Sequence, residues 1–303
     1  MRTVAKEQDV DYGDDVVAVP LRHPWRWISG ILASALLLSF IYSVVSAKSI
    51  QHDLVVKFLF DPRILQGAGV TVLVTIICMF IGTVLATLLA IMKLSVNPIQ
   101  RWLATGFIEF FRGTPLLLQI VFWGYLGIIF PELFLGIPFT DIVFVSGETS
   151  DIIPAIVAGI IALSLNEAAY SAEIVRAGIL AVDQGQTEAA KSLGMSSRYT
   201  MRRIVLPQAM RVIIPPMGNE FISMLKNTSL LQMIAVAELY TQASTISAAN
   251  LAQIELLIVS GFWYLLMTTI LGFPQRSLEK KYGRGFETVG GRAAPRVFKV
   301  GKR

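Results

Sequence analysis

The chain reads as all-α, a polytopic helical membrane protein of about six transmembrane helices, and three observations predict it. Its 303 residues are 54% hydrophobic and only 16% charged, with a mean hydropathy of +0.63, far from the balance of a soluble domain. Apolar runs near the ~20 residues that a helix needs to cross a hydrocarbon core recur along it. Lysine and arginine gather in some connections and vanish from others, as the positive-inside rule requires of a multi-pass protein.

The N-terminal tail, residues 1–25, mixes Arg2, Lys6 and Arg22 with Asp9, Asp11, Asp14 and Asp15. The first span, Trp27 to Ala47, has a cleaved signal peptide as its rival reading. Its apolar run exceeds the ~7 to 15 residues of a signal core, and an acidic tail is atypical there. Val70 to Met92, Leu116 to Phe130 with its flanks, Ile153 to Leu165 with its continuation, and Leu256 to Phe273 supply four more spans. Gln208 to Leu239 is interrupted by Pro215-Pro216, Gly218-Asn219-Glu220 and Lys226-Asn227, with the prolines predicting a broken helix.

Charge parity decides that this segment crosses. Pro131 to Ile152 and Ala237 to Glu255 contain no Lys or Arg, whereas Arg176 to Arg211 and the tail from Arg276 to Arg303 are rich in basic residues. Six spans with both termini cytoplasmic satisfy that pattern and five do not. Lys48, Lys57 and Arg63 run against it, partly offset by Asp53 and Asp61. The predicted organisation is a cytoplasmic tail (1–25), a membrane domain (26–282) and a basic cytoplasmic tail (283–303). The net charge of +5 is accounted for by topology and calls for no nucleic acid. The one cysteine, Cys78, lies in an apolar run with only His23 and His52 elsewhere, so neither an internal disulfide nor a metal cluster is predicted.

Between the fourth and fifth spans lies a polar island, Ala181 to Arg203. Asp183 or Gln184 starts a short helix, Thr187 to Leu193 continues it with good helix formers, and Gly194 supplies a residue able to take a left-handed terminal conformation. Ser196-Ser197 caps a second piece that leads into Leu206-Pro207. The island is too short to span and too small for an active site. Ala189 and Ala190 permit close backbone approach, which suits docking into a groove of another protein; a linker helix on the membrane surface fits the same residues.

Here a family resemblance enters. Glu188-Ala189-Ala190, three residues, Gly194, nine residues, Ile204, one residue and Leu206-Pro207 match the EAA loop of ABC-importer permeases without a departure. Glu109 to Leu117, Ala169 to Gly178, Leu206 to Ala209 and Leu225 to Leu230 are similar to the polar-amino-acid branch of that family. The resemblance covers roughly Leu65 to Tyr282. It leaves out the first span, the Pro131 to Asp151 loop and the basic tail, which look like additions to a five-helix permease core. It implies a bacterial plasma-membrane transport subunit, partnered by cytoplasmic ABC ATPase subunits, a second permease chain and an external amino-acid-binding protein. ATP and Mg belong to the ATPase partners, since this chain has no Gly-x4-Gly-Lys-Ser/Thr phosphate loop. It further implies that Glu188, Ala189, Ala190 and Gly194 form a cytoplasmic coupling helix that receives the ATPase motion.

Substrate-path candidates come from polar groups inside spans, which are costly in lipid and face a bundle interior or cavity. Asn166, Tyr170 and Glu173 follow i, i+4, i+7 spacing, with Glu167 and Ser171 about a quarter-turn round. Glu220, Ser223 and Asn227 share a face of the fifth span, and Asn219 and Lys226 share another. A zwitterion needs an acceptor for its ammonium, from Glu167 or Glu220, and a donor for its carboxylate, from Arg112 or Lys226. Glu173 with Arg176 at i+3 also fits a plain ion pair. Tyr170, Phe110, Phe111 and Trp123 read as packing or interfacial residues, and Met217, Met224 and Met233 as core. No nucleophile, metal set or paired carboxylates with catalytic spacing stand out, so no enzyme is predicted. The alternative function is an autonomous ion-coupled transporter or channel.

Overall fold

Prolines set where many of the helices begin, because the first turn of a helix needs no backbone donor at that position. A computed structural model of the protein describes residues 24–47, 49–136 and 143–282. Most of the N-terminal tail and all of the tail 283–303 lie outside the described residues, as do the readings made of them. By its contacts the chain divides at Ile50. The first unit contributes α1 (Pro24–Val45), whose residues are exposed from Pro24 to Ser43.

The second unit opens with α2 (His52–Leu59) and α3 (Pro62–Lys93). Asp61 caps α3 by accepting from the Arg63 N–H at 2.9 Å. The Arg63 side chain also donates to it, and these bonds hold the Asp61 carboxyl below its usual range. Next come α4 (Pro98–Gly113), capped by Asn97, then α5 (Leu116–Gly124) and the single turn α6 (Leu126–Ile129). A hairpin follows, β1 (Glu132–Gly136) antiparallel to β2 (Val143–Glu148), with Glu132 opposite Glu148. The hairpin differs from the expectation, which is only a loop without basic residues.

The single turn α7 (Thr149–Ile152) leads to α8 (Ala155–Leu180), and then to α9 (Gln184–Ser192) and α10 (Ser197–Thr200). A π turn, Met201–Val205, passes directly into α11 (Leu206–Asn227), which tightens into a 3-10 run, Thr228–Ile234. Last are α12 (Leu239–Asn250) and α13 (Gln253–Tyr282).

Among the described residues, four helices are long and apolar enough to cross a membrane, the segments Pro24–Ser43, Pro62–Lys93, Ala155–Leu180 and Gln253–Glu279. The predicted third span, Leu116 to Phe130 with its flanks, is divided at Tyr125 between α5 and α6, and the fifth, α11, carries too many polar residues to stand out. The predicted helix break at Pro215-Pro216 is corrected, because α11 runs through both prolines. Buried Ile213, Met224 and Leu225 hold it against its neighbours, so packing overrides the local loss of two donors. The chain turns instead at Ala235, where φ is 55°.

The centre of this unit is α3 against α8, the most extensive helix pairing. Ala86 and Ala90 on one side and Ala162, Ala168, Ala169 and Ala172 on the other are fully buried, and such small residues let backbones approach closely inside a membrane. The reading of three core methionines holds for Met224, at 2% exposed, but Met233 is 50% exposed and is corrected.

Two buried carboxylates fasten the remaining helices. Glu238 is 0% exposed and caps α12, accepting from the N–H groups of Tyr240 at 3.0 Å and Thr241 at 2.7 Å. It also accepts from the hydroxyls of Thr241 at 3.0 Å, Thr71 on α3 at 3.3 Å and Tyr264 on α13 at 2.8 Å. Glu255 accepts from the Gln51 N–H at 2.9 Å, while Trp263 donates to the Leu59 carbonyl at 2.8 Å, so α2 is clipped to α13 at both ends.

Candidate functional site: a polar cavity and an exposed helical knob

The knob is made by local backbone chemistry. Asp183 accepts from the Gly185 N–H at 2.7 Å and starts α9. At its other end Gly194 takes φ +74°, its N–H reaching the Lys191 carbonyl at 2.9 Å while the Met195 N–H reaches Ala190 at 3.0 Å. That crossed pair of bonds closes a helix and reverses the chain, at a φ that only glycine adopts without strain. Ser196 then caps α10 through the Tyr199 N–H at 3.4 Å.

Glu188, Ala189 and Gly194 are exposed, as the sequence reading requires of a docking surface. Ala190 is 1% exposed and packs inside its own chain, so close approach by a partner is left to Ala189. Leu193, 80% exposed, is the knob's apolar tip, a residue the sequence reading passed over as one more helix former.

The cavity has a volume of about 470 Å³ and lies among α4, α5, α8 and α11. Arg112, Asn166, Glu167, Tyr170, Glu220 and Asn227 line it, bringing together four of the five predicted path residues. Lys226 is corrected: it is exposed and does not line the cavity, because one residue along α11 from Asn227 is a turn of about 100°. The predicted companion Asn219 also points elsewhere, accepting from Gln275 on α13.

Arg112 stands over the Tyr170 ring, 5.3 Å from its centroid, so Tyr170 is part of the wall rather than plain packing. Glu167 is 4% exposed and accepts from the Ser171 hydroxyl one turn on. It sits where α3 comes nearest, and a Cβ at Gly82 would stand 2.6 Å from its Cγ. Glu173 lies beyond the cavity, held by Lys93 at 2.7 Å and Arg176 at 2.8 Å; the simple ion-pair reading is the one observed.

Sequence reasoning missed Gln119. This residue of α5 is 6% exposed, and its amide nitrogen donates to the Phe111 carbonyl at 2.9 Å and to the Thr114 carbonyl and hydroxyl at 3.1 and 2.8 Å. Its oxygen accepts from Asn166 at 3.2 Å. The cavity therefore offers two carboxylates, one guanidinium and two side-chain amides, a set suited to holding a small zwitterion with an added positive charge. Among the described residues no group of three or more His, Cys, Asp or Glu side chains is placed to hold a metal ion.

Comparison with known proteins gives consistent results. The family described as "Binding-protein-dependent transport system inner membrane component" matches residues 79–284. An arginine transport system permease protein of Corynebacterium glutamicum is 44% identical over 271 residues, which are 89% of this chain and 84% of that one. An L-cystine transport system permease protein of Bacillus subtilis is 38% identical over 227 residues, 74% of this chain and 88% of that one. Among solved structures, an amino acid ABC transporter crystallised with histidines superposes with a TM-score of 0.64 at 34% identity, covering 77% of this chain and 99% of that one. The inward-facing MetNI methionine ABC transporter has a TM-score of 0.52 at 15% identity over 72% of this chain and 95% of that one, a likeness of fold alone.

Proposed function

The chain belongs to the family of binding-protein-dependent transport system inner membrane components, and from that premise we propose how it moves amino acids and which of its residues do so. It is a permease subunit of an ABC transporter, a multi-pass membrane protein and not an enzyme. Its partners are cytoplasmic ATPase subunits, which bind the ATP and Mg, a second permease chain and an external binding protein. Both termini lie on the cytoplasmic side, where Glu188, Ala189 and Gly194 present the coupling knob to an ATPase subunit.

The substrate is a polar amino acid, and the charge of the cavity favours a cationic one. The observation that carries this reading is the convergence of Arg112, Asn166, Glu167 and Glu220, from three helices, on one cavity. Arg112 receives the α-carboxylate, while Glu167 and Glu220 are left for the ammonium and a basic side chain. The autonomous ion-coupled transporter is not favoured, because the relatives are components of binding-protein-dependent or ABC systems.

The test is uptake of radiolabelled L-arginine into vesicles holding the complete transporter. Glu220→Gln is expected to raise KM for L-arginine more than for L-glutamine. Equal, unaltered KM values for both would remove the cavity from the substrate path.

A further inference from the structure

The wall of the cavity that carries Arg112 follows from one missing hydrogen. In a continuous helix the carbonyl of Phe111 would accept from the N–H of residue 115, four positions on. Residue 115 is proline, which has none. Helix α4 therefore ends at Gly113, Thr114 is extended at φ −109° and ψ 141°, and α5 starts afresh after Pro115. Carbonyls orphaned in this way need partners when they are out of reach of water.

Side chains at the junction itself, on α5 and on α8 supply those partners. The Thr114 hydroxyl donates to the Phe110 carbonyl at 2.9 Å. The Phe111 carbonyl receives the amide of Gln119 at 2.9 Å and that of Asn166, on α8, at 3.2 Å. Gln119 also takes the Thr114 carbonyl and hydroxyl, and its own oxygen accepts the Asn166 amide. Two side-chain amides thus stitch the end of α4 to the start of α5 and to the middle of α8. Arg112 is the residue next to Phe111, and its partner Tyr170 is one turn from Asn166 on α8. The stitch ties the end of α4 that carries Arg112 to α8, the helix that carries Glu167.

We propose that Gln119 and Asn166 are a positioning pair for substrate recognition, with Gln119 acting entirely through the wall it holds and Asn166 offering the substrate only its oxygen. The inference rests on the reading of the cavity as the substrate site. Both hydrogens of the Asn166 amide are directed at the wall, at the Phe111 carbonyl and at Gln119, so its Oδ1 is the atom left over, an acceptor matched to an ammonium and not to a carboxylate. Buried networks of this kind are rigid only when every member is satisfied. Loss of the Gln119 amide should loosen the Arg112 wall without removing any group from the cavity, which Gln119 does not line.

Gln119→Met keeps the length of the side chain and removes its donors and acceptor. In the complete transporter reconstituted with its ATPase subunits and binding protein, this variant is expected to raise KM for L-arginine about tenfold, the effect of 1.4 kcal/mol, and to lower the maximal rate far less. Combining it with Arg112→Ala should add little further, because a displaced wall and a missing guanidinium are the same defect. An unchanged KM in Gln119→Met alongside a raised KM in Glu220→Gln would overturn the positioning role and leave the cavity standing. Unchanged KM in both would instead refute the cavity. Should Gln119→Met fail to assemble, Thr114→Val, which withdraws one of the amide's three acceptors, carries the same test: a raised KM supports the pair and an unaltered one overturns it.

Discussion

The knob and the cavity are both polar features in an apolar chain, and they are built in opposite ways. The knob is assembled from neighbours in sequence: Asp183, Gly194 and Ser196 cap their own helices, and the longest reach among its defining bonds is five residues. The cavity draws on Arg112, Asn166, Glu167 and Glu220, from three helices, and its wall is held by bonds that span 47 and 55 residues. A surface offered to a partner needs a shape, which backbone geometry supplies. A site that grips a solute needs opposed charges, which no short segment can point at one another.

The sharpest way to break this contrast is to strain the knob. Gly194→Val puts a β-branched residue at φ +74°, where even a simple side chain costs about 1–2 kcal/mol. Uptake should fall more than about tenfold, while the protein still inserts and its KM is kept, if the knob governs coupling and not affinity. Normal uptake would separate the knob from the ATPase motion.

Next in size is the cavity itself. Glu220→Gln should raise KM for L-arginine about tenfold with the amount of assembled complex held, read from uptake and from detergent gel filtration. Glu238 then sharpens the comparison as a buried carboxylate that lines no described cavity. Glu238→Ala leaves the donors of Thr71 and Tyr264 and two backbone N–H groups without their acceptor, and should lower stability by about 2 kcal/mol. Thermal unfolding in detergent would report that loss, and a shifted KM without it would turn Glu238 into a transport residue. The smallest effect is expected from Lys226→Ala. Its side chain is exposed away from the cavity, so KM should stay within about twofold.

The contrast also explains what the sequence could reveal. The knob was legible because its caps, its small residues and its glycine lie in one contiguous stretch. The long helices were legible as apolar runs, although α3 begins at Pro62, eight residues before the apolar core of that run. Periodicity grouped Asn166 with Tyr170 and Glu220 with Asn227, and both pairs meet in the cavity. It grouped Glu173 with them too, but periodicity has no sense of depth, and Lys93 closes that residue off a turn below.

Gln119 was out of reach because its role comes from a hydrogen absent at Pro115 and an amide on another helix. The hairpin was missed because strand propensity in a short insertion has no periodicity long enough to register. Pro215-Pro216 was misjudged because a proline's local penalty says nothing of the packing around it.

Those two prolines carry a mechanical consequence. From Ser197 to Ile234 the chain is helical without interruption, so α10, just beyond the chain reversal at Gly194, and Glu220 sit on one connecting rod of about 35 Å at ~1.5 Å per residue. Rods transmit strokes faithfully only if they are stiff. This one lacks two successive donors at Pro215 and Pro216, one turn short of Glu220, so although α11 stays continuous it has the fewest backbone bonds to resist bending there. If the knob receives the ATPase stroke, a bend at the two prolines is expected to move Glu220 and Asn227 together on the far arm.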